Sequence, residues 1–185
     1  MATSYTRPEH EEVPILKIEN EEIFDNDPER DKHLSRRRLA RERVLQVIYS
    51  HQMNDRDTDE LFFEMIQSDA LLNEQSREFA RQLVRNYNVH KNDLNEIITK
   101  HLAHWDVSRV ALIDKILIQI GILEFKYFPE VPPKATINEL IEIAKDFSTD
   151  DSGKFINGIL HAIKEDLSNA GEMKKEGRGL LEQSL

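Results

Sequence analysis

The chain has no cysteine among its 185 residues, and this absence excludes several kinds of chemistry. Disulfide bonds, thiol nucleophiles and thiolate metal ligands all require a cysteine that the sequence does not have. Apolar runs are short, since none approaches the ~20 residues of a membrane-spanning helix, and the N-terminus lacks the apolar core of a signal peptide. These features predict a cytoplasmic protein without a membrane-bound segment.

Catalytic and cofactor-binding motifs are also missing. No glycine-rich phosphate loop, GxSxG elbow, HExxH motif or DxDxDG calcium loop occurs. His101 and His104 lie three residues apart on one predicted helix, but two imidazoles without a third ligand give little support for a metal site. We interpret Glu139 and Glu142 as a solvated helix face rather than an acid–base pair. The sequence therefore predicts a protein that is not an enzyme and needs no cofactor or metal ion.

Charge is unevenly distributed along a chain whose formal net charge is −10. Residues 1–32 carry ten acidic and four basic side chains, and we interpret residues 1–33 as a disordered acidic extension because they cannot bury enough apolar surface to offset the ordering entropy. Residues 33–53, in contrast, carry five arginines against one glutamate. The net charge argues against a nucleic-acid partner, but this cationic segment favours one.

Apolar residues repeat at helical spacing through most of residues 34–170, which predicts a single all-α domain of about seven helices. The first helix is predicted over residues 35–51. Residues 110–128 are apolar on nearly all sides, so we expect them to form the central, buried helix of the bundle.

Polar residues mark the predicted ends of the other helices. Asn73 and Asn92 are predicted N-caps of two separate helices, and residues 150–152 are predicted to cap the last one. The tail, residues 171–185, is expected to be frayed.

The first predicted helix carries five arginines within eight positions: Arg36, Arg37, Arg38, Arg41 and Arg43. On a helical wheel, Arg38 and Arg41 fall on an outer face beside Leu45 and Tyr49. This combination suits single-stranded RNA, because arginine binds phosphate and tyrosine can stack on a base. Phe155 is a second aromatic residue that projects away from its helix's core stripe. The alternative is a solvated arginine helix paired with acidic neighbours, and the residues alone do not choose between the two.

Three segments carry a more specific signal: RRRLARERVLQVIYSHQM at 36–53, DKILIQIGILEF at 114–125 and VPPKATINELIEIAKDFSTDDSGKFINGIL at 131–160. Together they closely resemble the NusB family of transcription antitermination factors. The resemblance implies an all-helical fold of about seven helices in two packed sub-bundles and a role without catalysis. It further implies joint binding of the boxA element of ribosomal RNA transcripts with the ribosomal protein NusE, which recruits RNA polymerase and other Nus factors.

The resemblance also implies roles for individual residues. RNA contacts are implied for Arg37, Arg38, Arg41, Tyr49, Lys134 and Phe155. Contacts with NusE are implied for Asp114, Lys115, Asp151 and Phe155. The chain departs from the family at Gln119, where many members have an arginine, so one basic contact is expected to be absent.

Two alternative functions differ from this one in what they require of the sequence. A ribosomal RNA methyltransferase with a NusB-like domain would need catalytic cysteines and a glycine-rich cofactor loop, which the sequence lacks. A helical protein-interaction module that has lost RNA binding is compatible with Gln119 and with the acidic net charge. The sequence leaves the oligomeric state open, with a homodimer as one alternative.

Overall fold

A computed structural model describes residues 36–102 and 110–180, and these residues form six α-helices and no β-strand. The helices are α1 (Arg36–Asn54), α2 (Thr58–Phe62), α3 (Glu74–His101), α4 (Leu112–Tyr127), α5 (Pro133–Phe147) and α6 (Ser152–Asn169). A π-helical turn, Phe63–Gln67, continues α2, and a 3-10 turn, Gly177–Leu180, follows α6. The predicted all-α class is confirmed. The predicted acidic extension, residues 1–33, lies outside the described residues.

The helices form two groups that share α4. Helices α1, α2 and α3 pack against one another, α5 and α6 pack against each other and against α4, and α4 also contacts α1 and α3. Residues 116–125 of α4 are all buried, which confirms the prediction of a central apolar helix. Gly121 allows α6 to approach α4 closely, because a Cβ there would lie 2.6 Å from Leu160 Cδ2. Among the described helices, none is long and apolar enough to cross a membrane.

Helix α3 replaces two predicted helices. Asn73 caps its N-terminus as predicted, since Asn73 Oδ1 accepts a hydrogen bond from the Ser76 backbone N at 2.9 Å. The predicted cap at Asn92 is wrong, because the helix runs through this position without a break. Residues 74–101 contain neither proline nor glycine, and Leu94 continues the buried stripe beyond Asn92. Nothing therefore ends the helix where a polar residue alone suggested a start.

The C-terminal residues 172–180, here called the C-terminal strap, fold back onto the end of α4. Lys175 Nζ donates to the backbone carbonyl oxygens of Glu124 and Phe128, at 2.9 Å each. The prediction of a frayed tail is wrong for these residues. A lysine at the C-terminal carbonyls of a helix is favourable because it meets the negative end of the helix dipole.

Candidate nucleic-acid and protein interface

The arginine segment of α1 is divided between the surface and the interior. Arg36 is exposed and Arg37 and Arg38 are half-buried, whereas Arg41 is only 2% exposed. Arg37 and Arg41 lie one helical turn apart on the same face, and each guanidinium carbon lies 5.2 Å from the centre of the Phe79 ring. The first turns of α1 therefore face α3 with two cations stacked on one aromatic ring.

Arg41 forms a buried two-pronged ion pair with Glu124 of α4. Arg41 Nε and Nη2 donate to Glu124 Oε1 and Oε2 at 2.7 and 2.8 Å, and Thr136 Oγ1 of α5 donates to Oε2 at 2.7 Å. Burial alone would lower the pKa of Arg41, but the attraction and hydrogen bonds of Glu124 outweigh it and raise that pKa. The guanidinium is thus held charged at the junction of α1, α4 and α5.

The helical-wheel placement of Arg41 and Leu45 on an outer face is wrong. Both side chains are buried, at 2% exposure each. The physical reason is that α1 packs against α3 and α4 at once, so its buried stripe is wider than one neighbouring helix would require. Arg41 has no exposed surface to offer a phosphate, and the structure gives it a role inside the fold.

Arg38 and Arg37 lie at the surface beside carboxylates. Arg38 Nε and Nη2 donate to Glu139 Oε2 and Oε1 at 2.6 and 3.2 Å, and the hydrogen bond with Glu139 is the main cause of a raised Arg38 pKa. Arg37 Nη2 lies 3.7 Å from Glu130 Oε1, a longer and more exposed pair. Glu139 therefore does not form the solvated face that its spacing with Glu142 suggested. Glu130 and Glu139 therefore compete with any phosphate that approaches Arg37 and Arg38.

These ion pairs bring the start of α1 to the start of α5. Glu130 lies in the α4–α5 loop and Glu139 lies in α5, so both arginines are tied to this region. Lys134 is exposed in the first turn of α5, where Pro133 occupies the N-terminal position. We call the four surface cations gathered here the cationic edge: Arg36, Arg37, Arg38 and Lys134.

Tyr49 lies farther along α1 on the face that carries Arg38. The two residues are eleven positions apart, which brings them to nearly the same angle around the helix about three turns apart. The Tyr49 ring is half-buried and packs against the hydrophobic core. The ring is therefore held by the core and only partly accessible, whereas the helical wheel suggested a fully exposed ring.

Asp114, in the first turn of α4, is buried rather than displayed. Its Oδ1 accepts a hydrogen bond from Ser148 Oγ at 2.6 Å, and its Oδ2 accepts one from Ser152 Oγ at 2.9 Å. The Thr149 backbone N donates to Ser152 Oγ at 3.2 Å. Both carboxylate oxygens thus hold the α5–α6 loop, so the expectation that Asp114 is presented to a partner needs correction. Asp114 is 6% exposed and positions its neighbours.

The neighbours of Asp114 include the other residues implied for partner binding. Asp151 is exposed directly before α6, but its side chain makes no capping hydrogen bond, so the predicted capping role is wrong for this residue. Phe155, one turn into α6, is half-buried and packs against the core. Lys115 is half-buried beside Asp114 in α4. We call Lys115, Asp151 and Phe155 the α4–α6 surface.

Gln119 lies in the interior between α4 and α3. It is 1% exposed, its Nε2 donates to Asn95 Oδ1 at 3.0 Å, and its Oε1 has no hydrogen-bond partner among the residues that the structure describes. Gln119 itself is therefore buried and uncharged, and the expected absence of one basic contact stays a prediction.

Of the two histidines that the sequence places three residues apart, only His101 lies within the described residues. His101 Nδ1 lies 2.8 Å from the Ile97 carbonyl oxygen and its Nε2 lies 3.1 Å from Asp166 Oδ2, so its ring is engaged in contacts with the protein. His104 lies outside the described residues. Within residues 36–102 and 110–180, no group of three or more histidine and carboxylate side chains could hold a metal ion.

Sequence reasoning missed the partners that organise both surfaces. These residues are Glu124, Glu130, Thr136, Ser148 and Ser152. One signal for Glu124 was present, since it stands in an otherwise apolar helix, and a carboxylate buried there requires a partner of opposite charge. Nothing local pointed to Arg41 as that partner, because the two residues are 83 positions apart.

Comparisons with known proteins point to one family. Residues 38–165 match the model of the NusB family. Transcription antitermination protein NusB of Salinibacter ruber is 38% identical over 148 residues, which cover 80% of this chain and 92% of that protein.

Solved structures give the same result. NusB of T. maritima superposes with a TM-score of 0.65 at 29% identity, over 70% of this chain and 91% of that one. A chain from the crystal structure of antitermination factors NusB and NusE in complex with dsRNA superposes with a TM-score of 0.64 at 25% identity, over 71% and 97%. The family match, residues 38–165, includes the α4–α6 surface and two residues of the cationic edge, Arg38 and Lys134, and it ends before the C-terminal strap.

Proposed function

The chain belongs to the NusB family, and from that premise we propose that it is a transcription antitermination factor. It binds boxA-type single-stranded RNA of ribosomal RNA transcripts jointly with the ribosomal protein NusE. RNA polymerase and other Nus factors join through this assembly, which acts in the cytoplasm and without catalysis. A relative seen together with NusE and dsRNA supports the choice of partners.

The cationic edge is the observation that supports RNA binding. Arg37 and Arg38 of α1 pair with Glu130 and Glu139, which precede and follow Lys134 along the chain, in a protein whose net charge is −10. Phosphates of the RNA approach these cations in competition with Glu130 and Glu139, so affinity for RNA alone is modest. The acidic remainder of the protein repels RNA elsewhere, which limits non-specific binding.

Base contacts come from the aromatic residue on the same face. An RNA strand that follows α1 from Arg38 to Tyr49 covers about three helical turns, and one base can stack on the accessible part of the tyrosine ring. Such stacking tolerates different bases. Selectivity for boxA therefore depends on the surface that RNA and NusE form together.

The α4–α6 surface is the proposed site for NusE. Lys115, Asp151 and Phe155 combine charges of both signs with a partly buried aromatic ring, and the Asp114 hydrogen bonds hold the loop that carries Asp151. A small, well-held surface of this kind suits a specific protein contact, because little side-chain freedom is lost on binding.

A binding titration tests the proposed function. A labelled single-stranded RNA that contains a boxA element is titrated with the full chain, with and without NusE, over a range of salt concentrations. If the four cations of the edge contact phosphates, log K should fall with log salt at a slope of about −3, at about 0.7 per phosphate. Arg37→Glu with Arg38→Glu should abolish measurable binding of RNA alone.

The matched control is Arg85→Glu with Lys91→Glu, which reverses two exposed charges of α3 outside the cationic edge. This variant should retain binding. RNA binding that is independent of salt, or equal in the two double variants, contradicts the proposal.

The second candidate function is a protein-interaction module without RNA binding. The pairing of Arg38 with Glu139 and of Arg41 with Glu124 favours it, because these carboxylates neutralise much of the arginine segment. Failure to bind the boxA RNA with and without NusE, in a protein that still binds NusE, would decide for this alternative.

A further inference from the structure

The C-terminal strap, residues 172–180, is seated on the α4–α5 loop by several contacts. Beyond the Lys175 hydrogen bonds, the Glu176 backbone N donates to the Pro129 carbonyl oxygen at 3.0 Å, and Lys126 Nζ pairs with Glu172 Oε2 at 2.7 Å. Gly179 packs so closely that a Cβ would lie 2.1 Å from the Pro129 carbonyl oxygen. Only glycine permits this approach, so the backbone of residue 179 lies directly against the α4–α5 loop.

The seat of the strap adjoins the cationic edge. Pro129, which accepts the strap's hydrogen bond, is followed by Glu130, the carboxylate beside Arg37. The same short loop leads to Lys134 in the first turn of α5. Residues that lie within a few positions of Pro129 therefore belong to the cationic edge, and the strap is attached at its border.

The strap carries cations that the fold itself does not use. Lys174 and Arg178 are exposed, and neither makes an ion pair within the described part of the chain. Lys175 already donates hydrogen bonds to carbonyl oxygens at the end of α4, and Glu172 is paired with Lys126. Glu176 is exposed and offsets part of this charge. The strap thus carries one ammonium and one guanidinium group that pair with no described carboxylate, and it is attached to the loop whose Glu130 pairs with Arg37.

From this placement we propose that the C-terminal strap extends the RNA-binding surface, with Lys174 and Arg178 binding phosphates of RNA that continues past the cationic edge. The inference rests on the proposed function. A polyanion fits because the strap offers two separate cations, Lys174 before the 3-10 turn Gly177–Leu180 and Arg178 within it, and a long strand can contact both of them and Arg37. The strap lies beyond residue 165, where the family match ends.

Salt-dependent binding of the labelled boxA RNA to the full chain tests this inference. Lys174→Gln with Arg178→Gln removes two phosphate contacts, so the slope of log K against log salt should become shallower by about 1.4, and affinity near 0.1 M salt should fall about tenfold. The control, Arg85→Gln with Lys91→Gln, removes the same charge from α3 and should keep the original slope. Affinity for NusE should be unchanged in both.

A second variant separates the seated strap from its charges. Gly179→Val retains both cations but places side-chain atoms against the Pro129 carbonyl oxygen, so the strap must move away and the slope should again become shallower. If the glutamine variant binds like its control, or if Gly179→Val keeps the original slope, the inference is overturned and the proposed function stands. If the unmodified chain does not bind the RNA at all, with or without NusE, both are overturned.

Discussion

The cationic edge and the α4–α6 surface are each supported by a buried carboxylate, but the two supports differ in kind. Behind the cationic edge, Glu124 holds a charged arginine, Arg41, with side-chain exposures of 0% and 3%. Behind the α4–α6 surface, Asp114 accepts hydrogen bonds from two neutral hydroxyl groups, Ser148 and Ser152. The first support joins three helices through charge, and the second orients one loop.

Arg41 and Asp114 show that a residue can stabilise a candidate binding surface without being part of that surface. Arg41 stands in a cationic run and Asp114 stands at a position for which the sequence resemblance implied a partner contact, yet both lie in the interior. A buried charge that loses its partner costs far more than a surface charge, since it keeps its desolvation penalty without compensation. The two supports should therefore respond to substitution through stability as well as binding.

The largest effect is expected at the charged support. Glu124→Gln leaves Arg41 buried beside a neutral amide, so the free energy of unfolding should fall by about 3–5 kcal/mol in urea denaturation. The double variant Arg41→Met with Glu124→Leu removes both charges and should recover most of that loss. If the double variant is as unstable as Glu124→Gln, the loss comes from packing and not from the unpaired charge.

A smaller effect is expected at the neutral support. Asp114→Ala removes the hydrogen bonds from Ser148 and Ser152, and Ser152→Ala removes only the second of these from Asp114. Each variant should cost about 1–3 kcal/mol of stability, with Asp114→Ala at the upper end. Both variants should weaken NusE binding in calorimetric titration, because the loop before α6 loses its anchor, while the salt slope of RNA binding stays unchanged. Ser152 is 1% exposed, so an effect of Ser152→Ala would indicate positioning. Normal NusE binding by Ser152→Ala, together with loss in Asp114→Ala, would instead indicate direct contact by Asp114.

The smallest effect on stability is expected at the surface pair of Arg38 and Glu139, whose side chains are about a quarter exposed. Glu139→Gln should change the free energy of unfolding by less than about 1 kcal/mol, as is usual for exposed ion pairs. It removes the carboxylate that competes with phosphate, so RNA affinity should rise about threefold at low salt. Glu78→Gln is the control, because Glu78 pairs with Arg81 on α3, outside the cationic edge. Weaker RNA binding by Glu139→Gln would show that Glu139 orients Arg38 for RNA.

Much of the fold followed from patterns within single segments. The apolar period of residues 110–128 predicted the buried α4, and the Asn73 cap was found one residue before α3. The break predicted at Asn92 failed because an asparagine also fits an exposed position inside a helix, and only packing distinguishes the two. The sequence did not predict an ordered C-terminal strap, because the strap is held by backbone carbonyl oxygens at the end of α4. Such contacts leave no pattern in the residues of the strap.

The sequence by itself determined the helical class, the family and the concentration of arginines in α1, since each is a property of local composition and spacing. Only the tertiary structure decided which arginines reach solvent. Helical spacing gives the angle of a side chain around its own helix, but burial depends on how many other helices cover that angle. For Arg41 the covering helix carries Glu124, a residue 83 positions away that the sequence places in no visible relation to it.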